Sequence, residues 1–207
     1  MDDAPRRWLW ICLGLGGATV LLLLDTRAGD ALITSLFQSA PSWTLLRAAE
    51  ALTVFGSVQL TAALVFWVAW AAGRRHGWRA AMWILFPFVA ALPLEFFVKM
   101  WGSSVRAHGA VPLTGVLWAW FRVPPSSSFP SGHMLRATYV VGLLLAWEAA
   151  TRESPRRPIS IRLAALAGLF VFAASQVYIG NHWASDLGGG FLLGVVLAVI
   201  SSKHWRW

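Results

Sequence analysis

The feature that most constrains this chain is a series of long apolar stretches from which charged residues are almost excluded. These stretches cover residues 8–24, 51–72, 80–98, 133–150, 161–179 and 186–202. A helix needs about 20 mostly apolar residues to cross the hydrocarbon core of a bilayer. Charged residues make up only 13% of the 207 residues, against about 25% in soluble domains. We therefore predict an all-α, polytopic membrane protein with six transmembrane helices.

Six spans leave little chain for a separate soluble domain. We predict a single membrane-embedded domain over residues 1–207, with its core at 51–200 and with the first span and an interfacial segment in 1–50. Two apolar segments in the outer loops, 32–46 and 111–123, are too short or too interrupted to cross the bilayer. Both are predicted to lie in the membrane interface as short helices, the first with a break at Pro41.

The basic residues give the predicted orientation. The net charge is +8, and most of the arginines and lysines fall on one side if six spans alternate. They are Arg6, Arg7, Arg74, Arg75, Arg79, Arg152, Arg156, Arg157, Arg162, Lys203 and Arg206. The positive-inside rule makes that side the cytoplasm. We expect a multi-pass protein of the inner (cytoplasmic) membrane with both termini cytoplasmic, and no nucleic-acid partner.

Titratable residues from three distant segments are predicted to meet at the opposite, non-cytoplasmic face. Lys99 and Arg106 follow the third span, the run Pro130-Ser131-Gly132-His133 opens the fourth, and His182 and Asp186 begin the sixth. We therefore expect a reactive site on the periplasmic or extracellular side of the membrane.

The start of the fourth span has the properties of an anion site. Ser131 is a favourable N-cap, and Gly132 and His133 would occupy the first helical turn. The first N–H groups of a helix lack internal partners and carry partial positive charge, so they attract anions. Gly132 allows an anion to approach the backbone closely. A phosphate group suits this arrangement.

The histidines can supply the chemistry. His182 and Asp186 are four residues apart, which places them on one face of a helix. A carboxylate can hold one imidazole nitrogen and leave the other as a base or nucleophile. His133, on another helix, could then donate a proton to a leaving oxygen.

Taken together, the motifs resemble the type 2 phosphatidic acid phosphatase family of six-span membrane phosphatases. That family shows K-x6-R-P, P-S-G-H and S-R-x5-H-x3-D. This chain has Lys99-x6-Arg106, then Pro130-Ser131-Gly132-His133, then Ser175-Gln176-x5-His182-x3-Asp186, and the resemblance covers residues 51–200.

The resemblance implies a role for each of these residues. His182 would form a phosphohistidine intermediate, Asp186 would orient it, and His133 would act as the acid. The phosphoryl oxygens would be held by Lys99, Arg106 and Ser131. The helix-start argument adds Gly132 to the phosphate-binding candidates, and Arg136 and Gln176 are further candidates. The family uses no metal, so neither a metal nor another cofactor is expected.

Two positions depart from the family pattern. Ala107 replaces a proline, and Gln176 replaces the second phosphate-binding arginine. Losing a charged hydrogen-bond partner costs about 1.5–3 kcal/mol. Arg136 lies one turn after His133 and is our candidate substitute for that cation. Glu95 lies four residues before Lys99, which predicts an ion pair that positions the lysine.

The expected activity is metal-independent hydrolysis of a phosphomonoester or pyrophosphate on a lipid. Polyprenyl pyrophosphate, phosphatidylglycerol phosphate, phosphatidic acid and lipid A phosphates all fit, and the residues do not distinguish them. Two alternatives stay open: a lipid phosphotransferase using the same histidine, and a catalytically weakened protein that binds or transports lipid phosphates. The sequence carries no signal for the oligomeric state.

Overall fold

A computed structural model describes residues 4–101, 128–151 and 159–202. Within these ranges the regular structure is entirely helical, with one 3-10 turn at Val54–Gly56. The α-helices are α1 (Ala4–Leu23), α2 (Arg27–Gln38), α3 (Trp43–Thr53), α4 (Val58–His76), α5 (Trp78–Trp101), α6 (Gly132–Thr151), α7 (Ile159–Tyr178) and α8 (Ala184–Ser201). The all-α prediction is confirmed for the described chain. Arg106 and the predicted interfacial segment 111–123 lie outside it.

Four of the described helices are long and apolar enough to cross a bilayer. They are Pro5–Leu23, Trp78–Met100, Ile159–Tyr178 and Ala184–Ser201. A fifth span arises if α3 with its 3-10 turn and α4, bent by 43° at their junction, count as one. The prediction of six transmembrane helices is therefore not confirmed. The segment predicted as the fourth span forms the helix α6, which is not among these candidates.

The outward faces of the bundle are apolar. Trp70 of α4, Phe86 of α5 and Phe170 of α7 each expose more than 60% of their surface. Soluble monomers rarely expose large contiguous apolar patches, whereas a bilayer accommodates them. This surface, together with the spans, makes the chain a membrane protein.

The centre of the bundle is the close contact between α6 and α8, which two glycines of α8 permit. A side chain at Gly194 would lie 2.6 Å from the Leu135 carbonyl oxygen of α6. A side chain at Gly190 would meet the Ser131 carbonyl oxygen. Because these positions lack a Cβ, the two backbones approach closely, and the beginning of α6 lies against the beginning of α8.

Helices α4 and α5 form a tight hairpin that completes the core. Gly77 joins them with φ +84°, a backbone conformation that L residues with a side chain rarely adopt. Buried Val65, Val68 and Ile84 of this hairpin pack in one cluster with Tyr139 of α6. The Tyr139 hydroxyl donates to the Ile84 carbonyl at 2.6 Å. The hairpin thus supports α6, and Ala198 of α8 belongs to the same cluster.

Helices α2 and α3 cover the end of the bundle at which α6 and α8 begin. The Gln38 amide donates to the carbonyls of Val177 and Tyr178 at the end of α7, each at 3.2 Å. The Tyr178 hydroxyl accepts from the Ser42 amide at 2.7 Å. The predicted break near Pro41 is present, since α2 ends at Gln38 and α3 begins at Trp43.

Candidate active site

The start of α6 is capped and joined to α8 through Ser131. Its hydroxyl accepts a hydrogen bond from the Met134 amide at 3.3 Å, as an N-cap should. Its own amide donates to the Asp186 carbonyl oxygen at 3.0 Å. Ser131 is fully buried. The first turn of α6 is therefore tied to the first turn of α8 by a backbone hydrogen bond.

Two imidazoles face each other at this junction. The ring centroids of His133, in the first turn of α6, and His182, just before α8, are 6.0 Å apart with the planes inclined at 57°. The His182 side chain is only 11% exposed. The structure thus brings together two histidines that are far apart in sequence, at a spacing that one small tetrahedral anion can bridge.

Asp186 lies behind His182 and is almost completely buried. Its Oδ2 is 3.7 Å from His182 Nδ1, an electrostatic contact longer than a hydrogen bond. The same oxygen accepts the Trp183 amide at 3.0 Å. Burial lowers the pKa of His182 below its ordinary value, and Asp186 partly opposes that shift. Burial thus favours the neutral form of His182, which has an unprotonated ring nitrogen.

Glu95 of α5 bridges two cations beside the histidines. One carboxylate oxygen pairs with Lys99, and the other accepts from Arg136 Nη1 of α6 at 2.8 Å. The predicted ion pair between Glu95 and Lys99 is thus present, with a second cation added. Lys99 also interacts electrostatically with both imidazoles. Gly132 faces the Glu95 carboxylate so closely that a Cβ would overlap it.

Comparison with protein families identifies the chain. Residues 99–207, more than half of its length, match the model of the PAP2 superfamily. The chain belongs to this superfamily. The matched region contains each motif on which the predicted site was based.

A solved structure shares the fold of this PAP2 protein. It is the crystal structure of the first transmembrane PAP2 type phosphatidylglycerolphosphate phosphatase from Bacillus subtilis. The two agree with a TM-score of 0.70 at 22% sequence identity, over 97% of this chain and 94% of the other. A sequence search among curated proteins finds no significant match.

Gln176 of this PAP2 protein is fully buried and engaged in neutral hydrogen bonds. Its amide nitrogen donates to Thr53 Oγ1 at 3.1 Å, and its amide oxygen accepts from Asn181 Nδ2 at 3.2 Å. The Gln176 carbonyl also accepts from the Asn181 backbone amide at 3.0 Å. In this position Gln176 shapes the turn that carries His182.

The predicted site residues divide clearly by location. Ser131, Gly132, His133, His182 and Asp186 lie at the junction of α6 and α8. Lys99 and Arg136 join them through Glu95, and Gln176 lies under the turn before His182. The catalytic and phosphate-binding roles of these residues stay predictions.

Sequence reasoning missed Asp30 of α2. Its carboxylate accepts from the Ser185 amide at 2.9 Å and from the Ser185 hydroxyl at 2.6 Å, in the first turn of α8. Thr26 Oγ1 donates to the same carboxylate at 2.7 Å. No local pattern indicates this contact, because Asp30 and Ser185 are separated by most of the chain.

Proposed function

We propose that this PAP2 protein is a membrane lipid phosphatase in which His182 attacks the phosphorus atom. The observation that carries the proposal is the pair of imidazoles 6.0 Å apart at the joined starts of two helices, one of them backed by a buried carboxylate. Family membership supports phosphatase chemistry. The fold neighbour is itself a phosphatidylglycerolphosphate phosphatase.

In the first step, neutral His182 forms a bond to phosphorus while the bond between phosphorus and the lipid oxygen breaks. The negative charge of the bound phosphate favours the protonated form of His133, which donates its proton to that oxygen, and the oxygen leaves as the lipid alcohol or phosphate. Attack places positive charge on the His182 ring, and Asp186 stabilises that charge from the Nδ1 side.

In the second step, water attacks the phosphohistidine. His133, now neutral, accepts a proton from that water as the phosphorus–nitrogen bond breaks. Inorganic phosphate leaves, His182 returns to its neutral form, and His133 is again protonated. Hydrolysis thus needs only the two histidines in opposite protonation states, and no metal.

The phosphoryl oxygens would be held by the start of α6 and by cations. The N–H groups of the first turn, at Gly132 and His133, carry partial positive charge. Lys99, Arg106 and the Ser131 hydroxyl add donors around them. Because the start of α6 and Ser131 are held in place by the contact with α8, they can stabilise charge that develops in the transition state.

The substrate is proposed to arrive laterally from the bilayer, because the outer faces of the bundle are apolar. Polyprenyl pyrophosphates, phosphatidylglycerol phosphate, phosphatidic acid and lipid A phosphates all present a phosphoryl group on an apolar anchor. The site would open on the non-cytoplasmic face of the inner membrane.

Phosphate release from a panel of these detergent-solubilised lipids tests the proposal. We expect His182→Ala to reduce turnover by about three orders of magnitude or more, since loss of a nucleophile removes the covalent step. His76→Ala, at the opposite end of the bundle, is the matched control and should keep wild-type turnover. Chelator should have no effect. Turnover that survives in His182→Ala would contradict the proposal.

A second assay, with labelled lipid, separates hydrolysis from phosphotransfer. Lipid labelled at the phosphoryl group is incubated with and without an acceptor lipid, and the label is followed. We expect it in inorganic phosphate under both conditions. Label that appears in the acceptor lipid would identify a phosphotransferase instead.

A further inference from the structure

The first turn of α6 is held by the corner between α3 and α4, residues 53–57. Arg136 Nε donates to the Gly56 carbonyl oxygen at 3.0 Å. Arg136 lies one turn after His133 on α6 and is only 5% exposed. The corner is therefore attached to the histidine-bearing end of α6 by a buried, charged hydrogen bond.

Gly56 also packs directly on His133. A Cβ at position 56 would lie 2.8 Å from His133 Cβ, 2.8 Å from the His133 carbonyl oxygen and 2.8 Å from Phe172 Cζ. Such distances are too short for real contacts, and one of the neighbours is rigid backbone. Only glycine fits between α6 and α7 here, so the corner forms a wall against the base of the His133 side chain.

Glu95 fixes Arg136 from the other side. Its carboxylate accepts from Arg136 Nη1 at 2.8 Å. An ion pair this deeply buried adds little net stability, because its desolvation offsets the attraction, but it holds its partners in one geometry. The guanidinium therefore connects α5, α6 and the corner at one point beneath His133.

We propose that Arg136 and Gly56 are positioning residues for His133, holding its imidazole where it can protonate the leaving oxygen, with Glu95 anchoring Arg136. The inference rests on the acid role of His133 under the proposed function. Arg136 then positions His133, whereas the sequence had suggested that it binds phosphate in place of the arginine that Gln176 replaces. Neither residue needs to touch the substrate.

The inference has a kinetic signature that a general loss of structure does not produce. A lipid alkoxide is a poor leaving group and needs a proton from His133 as the bond breaks. The 4-nitrophenolate ion leaves readily without one. Displacing His133 should therefore slow hydrolysis of a lipid phosphate much more than hydrolysis of 4-nitrophenyl phosphate.

Gly56→Ala is the first variant, measured with dioctanoyl phosphatidic acid and with 4-nitrophenyl phosphate. We expect kcat/KM for the lipid to fall about 10- to 100-fold, because misplacement of about 1 Å can cost 100-fold. The aryl substrate and inhibition by orthovanadate should change less than about 3-fold. Gly168→Ala is the matched control, since a Cβ there meets nothing within 4 Å.

Arg136→Lys is the second variant and covers the case in which Gly56→Ala does not fold. Lysine keeps the charge near Glu95 but cannot also supply the Nε bond to Gly56. We expect the same selective loss with the lipid substrate. A weakened orthovanadate inhibition with equal losses on both substrates would instead make Arg136 a phosphate ligand and would overturn the inference.

His133→Asn separates this inference from the proposed function. It should itself show the selective loss on the lipid, by about 100- to 10,000-fold for a general acid. If His133→Asn shows it and both positioning variants behave as wild type, only the positioning roles are wrong. If His133→Asn leaves the ratio of the two substrates unchanged, the acid role fails and the inference fails with it.

Discussion

Asp186 serves the site and the fold through different atoms. Its backbone carbonyl accepts from Ser131 and ties α8 to α6. Its carboxylate caps the first turn of α8 at Trp183 and acts electrostatically on His182. One residue thus couples the placement of two helix starts to the basicity of the proposed nucleophile.

Replacing Asp186 by Asn tests this coupling through the pH profile. The Asp186 carboxylate raises the pKa of His182 against the lowering by burial. Without that charge the pKa falls further, so His182 stays neutral to a lower pH. We expect the acidic limb of the kcat/KM profile to move to lower pH, and kcat to fall about 10²- to 10⁴-fold as the imidazolium loses its stabilising charge.

Asparagine can still accept from Trp183, so the fold should persist in this variant. Asp25→Asn, at an exposed position, should leave both the profile and kcat unchanged. An acidic limb that stays in place or moves to higher pH would exclude Asp186 as the partner of His182.

Residues of the site differ in how far the sequence predicts them. The runs around His133 and His182 are contiguous, and their spacing on a helix follows from local geometry. Gly56, Arg136 and Asp30 act through contacts with segments 80 to 155 residues away, and no periodicity encodes such a partner. For Glu95, the sequence predicts the ion pair with Lys99, which lies one helical turn away. It does not predict the ion pair with Arg136 on another helix.

At the scale of elements, α2 completes the start of α8. The first N–H groups of a helix need partners from outside it, and Asp30 supplies them to Ser185. Asp30 is 5% exposed, so water does not replace it easily. A short helix that overlaps the predicted interfacial segment 32–46, but begins before it, therefore acts as a cap on the helix that follows His182.

Asp30→Ala should destabilise the protein because it leaves the first turn of α8 without this acceptor. Loss of a charged hydrogen-bond partner costs about 1.5–3 kcal/mol, which should appear as a lower Tm in detergent. Asp25→Ala, five residues earlier and exposed, is the control. An unchanged Tm in Asp30→Ala would show that α2 does not support α8.

Hydropathy alone does not locate the helix break within the predicted second span. The predicted second span, 51–72, runs through the corner, because the corner residues Val54 and Phe55 are themselves apolar. The helix breaks there because Ser57 is extended and caps α4 at Leu60. The segment predicted as the fourth span forms α6, in which Arg136 and Thr138 are polar and buried within the bundle.

At the scale of the whole molecule, the two ends of the bundle differ in charge and chemistry. The ends of α5 and α7 and the starts of α6 and α8 form the site. Arg74 and Arg75 lie at the far end, at the close of α4. The positive-inside rule predicts that the end with Arg74 and Arg75 faces the cytoplasm and that the site faces outward.

Cysteine labelling tests that orientation. Cys12 is the only cysteine, so Cys12→Ser provides a clean background. In spheroplasts, Ser39→Cys at the site end should react with a membrane-impermeant maleimide, and His76→Cys should react only after permeabilisation. The reverse pattern would place the site in the cytoplasm and would contradict the positive-inside assignment.

The contact between α1 and α8 has a consequence for biosynthesis. Gly17 of α1 packs against Leu192 of α8, and Gly14 approaches Val196. The ribosome synthesises α1 long before α8, so α1 must remain in the bilayer without this neighbour until α8 has been made. A nascent chain arrested before residue 182 would contain His133 without its partner imidazole. Catalytic competence should therefore emerge only after α7 and α8 have inserted.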